Sequence, residues 1–336
     1  MAKGWNTSTH QEVEKKMQQV KETGGSVPND GTNPYLVHPL MDPLKIKSGI
    51  RESCDSAEQL LSLAIIFLMD VSGSMGFVPE QLRTRYLCEL MKFLLGGKLV
   101  VDPQIMFAAF ADVADRCFLQ VGQFELGTEM HGDLSRLRIG GGGGSAMAHE
   151  APEYALYWAA THTKIDCFEK RRKKGILVIT TDEMPNDKLK KEYVRRFIGD
   201  GLENDFTIEQ VIALVRQKYD IFCLYTHTGS YGSMDKEIRA RWVEILGSEY
   251  VFDFYQSEDI CALVGSIIGL REEMVNNLDD LRNRLRGLET SEETITRVLR
   301  TVYGYATLLG RGQVNGVTQK ADAPVEKSKT TGNRRL

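Results

Sequence analysis

The chain has 336 residues, 42% of them hydrophobic and 26% charged, with 31 glycines and 9 prolines. That is the composition of a soluble globular protein long enough to bury its own core, so it needs neither metals nor disulfides to fold. Forty-two basic against 46 acidic side chains leave a formal charge of −4, which excludes a global basic field and leaves a nucleic-acid or membrane-surface partner without support.

Residues 1–59 mix polar, Gly- and Pro-containing stretches (GGSVPNDGTNP, HPLMDPLKIKSG) and read as a partly irregular N-terminal extension, with Lys45–Ile50 the one stretch able to pair as an edge strand. The opening MAKGWNTSTHQEVEKK has no apolar core of a secretory signal, and the longest apolar run, Leu63–Met69, is too short to cross a bilayer. The six cysteines (Cys54, Cys88, Cys117, Cys167, Cys223, Cys261) are scattered, with no CxxC pair. They read as free thiols in a reducing compartment, and the expected location is cytoplasmic.

From residue 60 to 270 apolar runs of strand length alternate with segments of helical period, the pattern of a parallel sheet covered by helices. The expected strands are Leu63–Met69, Gln104–Phe110, Cys117–Val121, Gly175–Thr180, Ile221–Tyr225 and Tyr250–Phe254. The first and fourth, LAIIFLM and GILVIT, are apolar throughout, as strands buried on both faces must be. Only six residues separate the second from the third, too few for a crossover helix, so these two form an antiparallel hairpin. The fold class is therefore α/β: a doubly wound, mostly parallel six-stranded sheet with one antiparallel strand.

Helices are expected after Pro79 (EQLRTRYLCELMKFLL, closed by Gly96), over Pro152–Ala160, after the capping-box pair Thr207 and Gln210, and over Lys236–Leu246 and Ser257–Leu270. Residues 271–310 read as a C-terminal helical hairpin. Leu278, Leu281, Leu285 and Leu288 repeat at 3–4–3, and Thr290 with Glu293 opens a second helix carrying Ile295, Val298, Leu299 and Val302. Two heptads are short for a dimerisation seam, so the pair is expected to pack back on the domain. Residues 311–336 carry six basic and two acidic side chains and read as a disordered tail.

Chemistry concentrates where the first strand ends. LAIIFLMDVSGSMG puts Asp70, Ser72 and Ser74 in a turn directly after a buried strand, at the carboxyl end of the sheet, where open α/β folds bind ligands. The fourth strand ends likewise in Thr181 and Asp182, so neighbouring first and fourth strands would bring two carboxylates together. Oxygen donors of this kind suit Mg²⁺ or Mn²⁺, and the absence of His and Cys beside them argues against zinc or copper. The local alternative is a turn capped by short polar side chains.

DVSGS at 70–74 resembles the DxSxS signature of the von Willebrand factor A (VWA) domain family. The likeness extends over roughly 210 residues: a following amphipathic helix, a hairpin ending in FAD (Phe110–Asp112), a glycine-rich loop at Ile139–Ser145 and an apolar strand ending in TTD occur in the family's order. The resemblance implies a Rossmann-like fold with a metal-ion-dependent adhesion site. In it Ser72 and Ser74 would ligate Mg²⁺ directly, Asp70 and Asp182 would act around them, and a partner would supply the last carboxylate. The second loop departs from the family's pattern: GGGGGSAMAHEAPEYAL leaves Ser145 in the position nearest to the usual threonine, and Pro152–Glu153 resembles the Pro-Glu helix start of some members.

The five glycines Gly140–Gly144 lack the Lys of a phosphate-binding loop. His149 and Glu150 share the glycine-rich loop and are within reach of the site, but the favoured reading puts them at the surface. His227 is expected in a plain loop, Lys170–Lys174 (KRRKK) on a solvated helix end and Tyr157 and Trp158 in the core. No Ser/His/Asp or Cys/His set is evident, and Ser72 stands where an aspartyl-phosphate enzyme needs a second carboxylate. The expected function is a metal-dependent protein-interaction module that captures an acidic residue of a partner, not an enzyme. Intracellular relatives act as adaptors in assemblies that include those built around MoxR-type AAA+ ATPases. The alternatives are a metal-independent scaffold using the C-terminal helices, and a Mg²⁺-dependent hydrolase.

Overall fold

The computed structural model describes residues 5–22, 31–75, 77–139, 149–227 and 232–313. Its centre is a six-stranded sheet whose strands, in chain order, are β1 (Leu63–Asp70), β2 (Pro103–Phe110), β3 (Leu119–Val121), β4 (Gly175–Thr181), β5 (Tyr219–Thr226) and β6 (Val251–Phe254). In space they run β6-β5-β4-β1-β2-β3. Every pair is parallel except β2–β3, the expected antiparallel hairpin.

All residues of β1 and of β4 are buried, which explains their unbroken apolar runs. From β1 the chain builds β2 and β3 toward one edge, then returns to lay β4, β5 and β6 on the other side. The reversal falls between β1 and β4, so a crevice opens at their carboxyl ends. The register pairs Met69 with Thr180, which sets Asp70 beside Thr181.

The helix after β1 covers residues 77–96 and contains two π turns, Leu82–Tyr86 and Lys92–Gly96. The Thr207–Gln210 capping box forms in full: Gln210 N donates to Thr207 Oγ1 at 3.3 Å and Thr207 N to Gln210 Oε1 at 2.8 Å. The basic run lies at a solvent-exposed helix end, as expected, and is ion-paired there. Lys170 pairs with Asp166, Arg171 with Asp55, Lys173 with Glu272 and Lys174 with Asp220. Tyr157 and Trp158 are buried, as expected.

Three local expectations are corrected. Lys45–Ile50 is not a strand, because Asp42 caps a 3₁₀ turn at Pro43–Lys45 and Gly49 takes a left-handed φ of 66°. The pairing segment is Arg51–Ser53, parallel to Thr163–Ile165. The extension also holds a helix, Thr7–Glu22, which Asn6 caps and which buries Val13, Met17 and Val20 on one stripe. In the C-terminal pair the cap is Ser291, whose Oγ accepts from Thr294 N at 3.2 Å, and not Thr290. Glu289 at φ 62° turns the chain so that the helix opens one residue later.

The last two helices, Leu278–Gly287 and Glu292–Leu308, bury Leu278, Leu281, Leu285, Ile295, Val298 and Val302 within this chain. Arg297 grips Asp259 by both oxygens, at 2.6 and 2.8 Å, and Arg284 Nη1 reaches Gly97 O at 3.0 Å. The leucine stripe therefore faces the chain's own domain. No helix of the described residues is long and apolar enough to cross a membrane. Residues 314–336, expected as a tail, lie outside the described residues.

Replacing Leu285, which is fully buried, by Ala is expected to cost about 3 kcal/mol of stability through lost burial and a residual cavity. The molecular mass in sedimentation should be unchanged. Urea denaturation beside analytical ultracentrifugation checks both; a changed mass with unchanged stability would refute the packing role.

Candidate functional site

Asp70 ends β1, and its carboxylate is fully buried. Ser72 N donates to Asp70 Oδ1 at 2.8 Å, the Asx turn expected of a short acid two residues back, and Thr181 Oγ1 donates to Oδ2 at 3.1 Å from the end of β4. The two serine hydroxyls lie 3.2 Å apart, and Ser74 Oγ donates to Asp182 Oδ1 at 3.1 Å. Asp182 Oδ2 is buried and has no hydrogen-bond partner among the described residues. Four of the expected residues, Asp70, Ser72, Ser74 and Asp182, thus converge; the fifth, Ser145, lies with Gly140–Gly144 outside the described residues.

Burial pushes the Asp70 carboxyl up to about 7, and the nearby charge of Asp182 adds to the rise against the hydrogen bonds from Ser72 and Thr181. Burial raises Asp182 too. An orphaned carboxylate oxygen, two carboxyls that resist ionising and converging hydroxyls make a site short of positive charge. That donor set is all oxygen and fits a hard divalent cation. Among the described residues no three His, Cys, Asp or Glu side chains form a metal-holding cluster; what meets at the strand ends is two carboxylates with the hydroxyls of Ser72, Ser74 and Thr181.

A second set of acids surrounds the first. Glu150 is not at the surface, as its polar loop suggests, but 5% exposed. Its segment is held from two sides: His149–Glu150 pairs in parallel with Met184–Pro185 beyond β4, and Ala151 N donates to Ala111 O beyond β2 at 3.3 Å. The segment therefore crosses over the end of β1, where Asp70 lies. Burial, then the charges of Asp70, Glu183, Asp112 and Asp115, raise the Glu150 carboxyl to about 10. Glu183 rises to about 8, chiefly through burial and then Asp70.

Glu153, fully buried in the first turn of the helix Pro152–Thr161, accepts from Asn186 Nδ2 at 3.1 Å through Oε1, while Oε2 has no partner among the described residues. Burial raises it to about 8. Sequence reasoning placed Thr181 at the strand end without giving it a role, set Glu150 within reach of the site but favoured the surface for it, and missed Glu153 and Glu183 as parts of one site. The signals available were the TTDE run and the Pro-Glu helix start. His227, expected in a plain loop, is clamped instead: Nδ1 lies 2.9 Å from Asp235 Oδ2, Nε2 lies 3.1 Å from Asp253 Oδ1, and the ring stacks on Tyr255.

No family model and no curated protein matches the chain. Among solved structures it is similar to the pilus adhesin SpaC from Lactobacillus rhamnosus GG in its open conformation, at 13% identity and TM-score 0.42 over 69% of this chain and 31% of that one. It is similar to proximal thread matrix protein 1 from the mussel byssus, at 16% identity and TM-score 0.38 over 62% of this chain and 46% of that one. A point mutant of the PilB minor pilin from Streptococcus sanguinis shows 12% identity and TM-score 0.36 over 64% of this chain and 63% of that one. The match spans about a third of the adhesin's length.

The raised Glu153 gives a pH signature. Its folded-state pKa of about 8 lies above the ordinary carboxylate value, so between the two the folded chain holds a proton that the unfolded chain has released. The stability contributed by the neutral acid is complete below the ordinary carboxylate range and is lost as pH rises through about 8. Glu153→Gln, which keeps the acceptor for Asn186, is expected to exceed the wild type by about 4 kcal/mol at pH 8.5 and to come close to it near pH 4.5. Urea melts at the two pH values measure this; a pH-independent difference would rule it out.

Proposed function

We propose that the chain is a Rossmann-like, doubly wound domain of the VWA type that binds a protein partner through a divalent cation, Mg²⁺ or Mn²⁺. The observation that carries the reading is the convergence of Asp70, Ser72, Ser74 and Asp182 from the ends of two adjacent parallel strands, with Asp182 Oδ2 buried and unbonded among the described residues. Ser72 and Ser74 would hold the ion directly, with Asp70 and Asp182 orienting their hydroxyls and balancing charge. Ser145 would join them from the second loop. The ion's chemistry here is Lewis-acid attraction for one more oxygen ligand, the carboxylate of an acidic residue on the partner.

A binding role is favoured over hydrolysis because no side chain near Asp70, among the described residues, is arranged as a nucleophile with its base: Ser72 bonds within the DxSxS turn, and Thr181 donates to Asp70. A scaffold built on the C-terminal leucines is disfavoured because Leu278, Leu281 and Leu285 are already buried in this chain. The six cysteines are unpaired, which supports a cytoplasmic adaptor in a multi-protein assembly, a MoxR-type AAA+ ATPase system being the class of assembly that the resemblance brings forward.

Calorimetric titration of Mg²⁺ and Mn²⁺ into chelator-treated protein is expected to show one site that disappears in an Asp70→Ala, Ser72→Ala variant whose circular dichroism matches the wild type. Equal heats from both proteins would place any bound ion elsewhere, and no binding by either protein, by calorimetry or by Mn²⁺ spin resonance, would end the metal reading.

A further inference from the structure

We propose that Glu150 is an in-built competitor for the partner's carboxylate: the chain carries its own acidic ligand, poised over the Asp70–Ser72–Ser74–Asp182 site, and a partner gains the cation by displacing it. The inference rests on the metal reading above and extends it to the regulation of that site.

Three observations lead to it. The backbone of Glu150 is fixed by long-range pairing on both sides, through Met184–Pro185 and the Asn186 Nδ2 bond to Glu150 O at 3.0 Å on one flank and Ala151–Ala111 on the other. A residue so held is anchored across the mouth of the crevice rather than adrift in a loop. Glu150 is also almost wholly buried, yet its Oε2 has no hydrogen-bond partner among the described residues. A buried, unbonded carboxylate oxygen is costly and calls for a ligand.

The third observation is the company it keeps. The charges that raise Glu150 most, those of Asp70, Glu183, Asp112 and Asp115, all belong to acids. Asp70 and Glu183 approach from the ends of β1 and β4, and Asp112 and Asp115 from the turn after β2. A structural carboxylate would be expected against an Arg or Lys; a cation at the Asp70 site is the group that would offset the surrounding negative charge.

As the side chains stand, Glu150 does not close a three-acid metal cluster with Asp70 and Asp182. The Glu150 side chain must turn toward Asp70 to do so, and no hydrogen bond of Oε2 to the described residues has to break for it. Once there, the carboxylate occupies the one position that an acidic partner needs. Partner binding is then an exchange of one carboxylate for another, with an affinity set by their difference rather than by the full strength of the metal–oxygen bond.

The test uses the full chain, Mn²⁺ as the ion and acetate as the probe carboxylate. Water-proton relaxation counts the exchangeable waters on bound Mn²⁺ in the wild type, in Glu150→Gln and in Glu150→Asp. Gln removes the ligand at constant size, and Asp keeps the charge but shortens its reach by one methylene. The expected result is about one additional water on Mn²⁺ in both variants, with acetate binding to the Mn²⁺-loaded protein tightened roughly tenfold or more. A gain in Gln but not in Asp would make Glu150 a source of negative field only and would overturn the proposal. Equal hydration and equal acetate affinity in all three proteins would overturn it while leaving the metal reading intact, whereas a wild type that binds no Mn²⁺ would overturn both.

Discussion

The structure turns on a carboxylate that ends a strand buried on both faces. β1 must be apolar throughout because β2 and β4 flank it and helices cover it, yet its last residue is Asp70, fully enclosed. An ionised acid in such a place is costly unless hydrogen bonds or an opposite charge compensate it. The local sequence supplies the first kind of compensation. Ser72 sits two residues on, where its N–H closes back on Asp70, and Thr181 is brought alongside by the parallel register of β1 with β4. These bonds offset part of the desolvation and leave Asp70 far above its ordinary value. The remainder is a standing demand for positive charge.

That demand is not met from nearby. The carboxyls of Asp182, Glu183, Glu150 and Glu153 are all raised, each chiefly by burial, and for Glu150, Glu153 and Glu183 the charges of neighbouring acids add to the rise. Meanwhile several of the chain's arginines are engaged elsewhere: Arg171 on Asp55, Arg239 on Asp253, Arg271 on Asp220, Arg297 on Asp259. The Asp220 and Asp253 pairs tie helices to β5 and β6, and the Asp55 and Asp259 pairs tie helices to a loop and to one another. The chain pairs Asp55, Asp220, Asp253 and Asp259 with arginines, whereas burial and other acids are what raise the acids at the β1–β4 crevice, which is the electrostatic profile of a ligand site rather than of a structural network.

How far this was legible in the sequence depends on the range of the interaction concerned. LAIIFLM and GILVIT announce β1 and β4 because burial on both faces removes every polar position, and DVSGS and TTD announce the strand ends because short oxygen side chains crowd a turn. The capping box at Thr207 depends on residues three apart and is visible at once. The N-terminal helix was not visible: Val13, Met17 and Val20 form a single narrow stripe among charged residues, a pattern that becomes a core face only when the rest of the domain is present. Glu150 was less visible still. Its two-residue strand is too short to carry a period, and only its pairing with Met184–Pro185, far along the chain, brings it over Asp70. A side chain's burial in that setting is a property of the topology and not of its neighbours in the chain.

The same long-range logic governs how firmly the DxSxS turn is held. The turn leads into the helix over residues 77–96, and that helix is braced from both ends of the chain. The Thr7–Glu22 helix packs on its first π turn, and Cys88 Sγ meets His10 O at 3.8 Å. On the C-terminal side Cys261 Sγ reaches Tyr86 O at 3.5 Å, Lys92 Nζ reaches Leu288 O at 2.8 Å and Arg284 reaches Gly97 O. A π turn is a rare single-turn bulge in an α-helix, and this helix carries two, each packed against a neighbouring segment. The segments that read as appendages in the sequence, before residue 60 and after residue 270, contribute to that packing. Their described residues contribute no oxygen to the crevice; they fix the helix from which the serine turn hangs, and thereby the spacing between the hydroxyls of Ser72 and Ser74 and the carboxylate of Asp182.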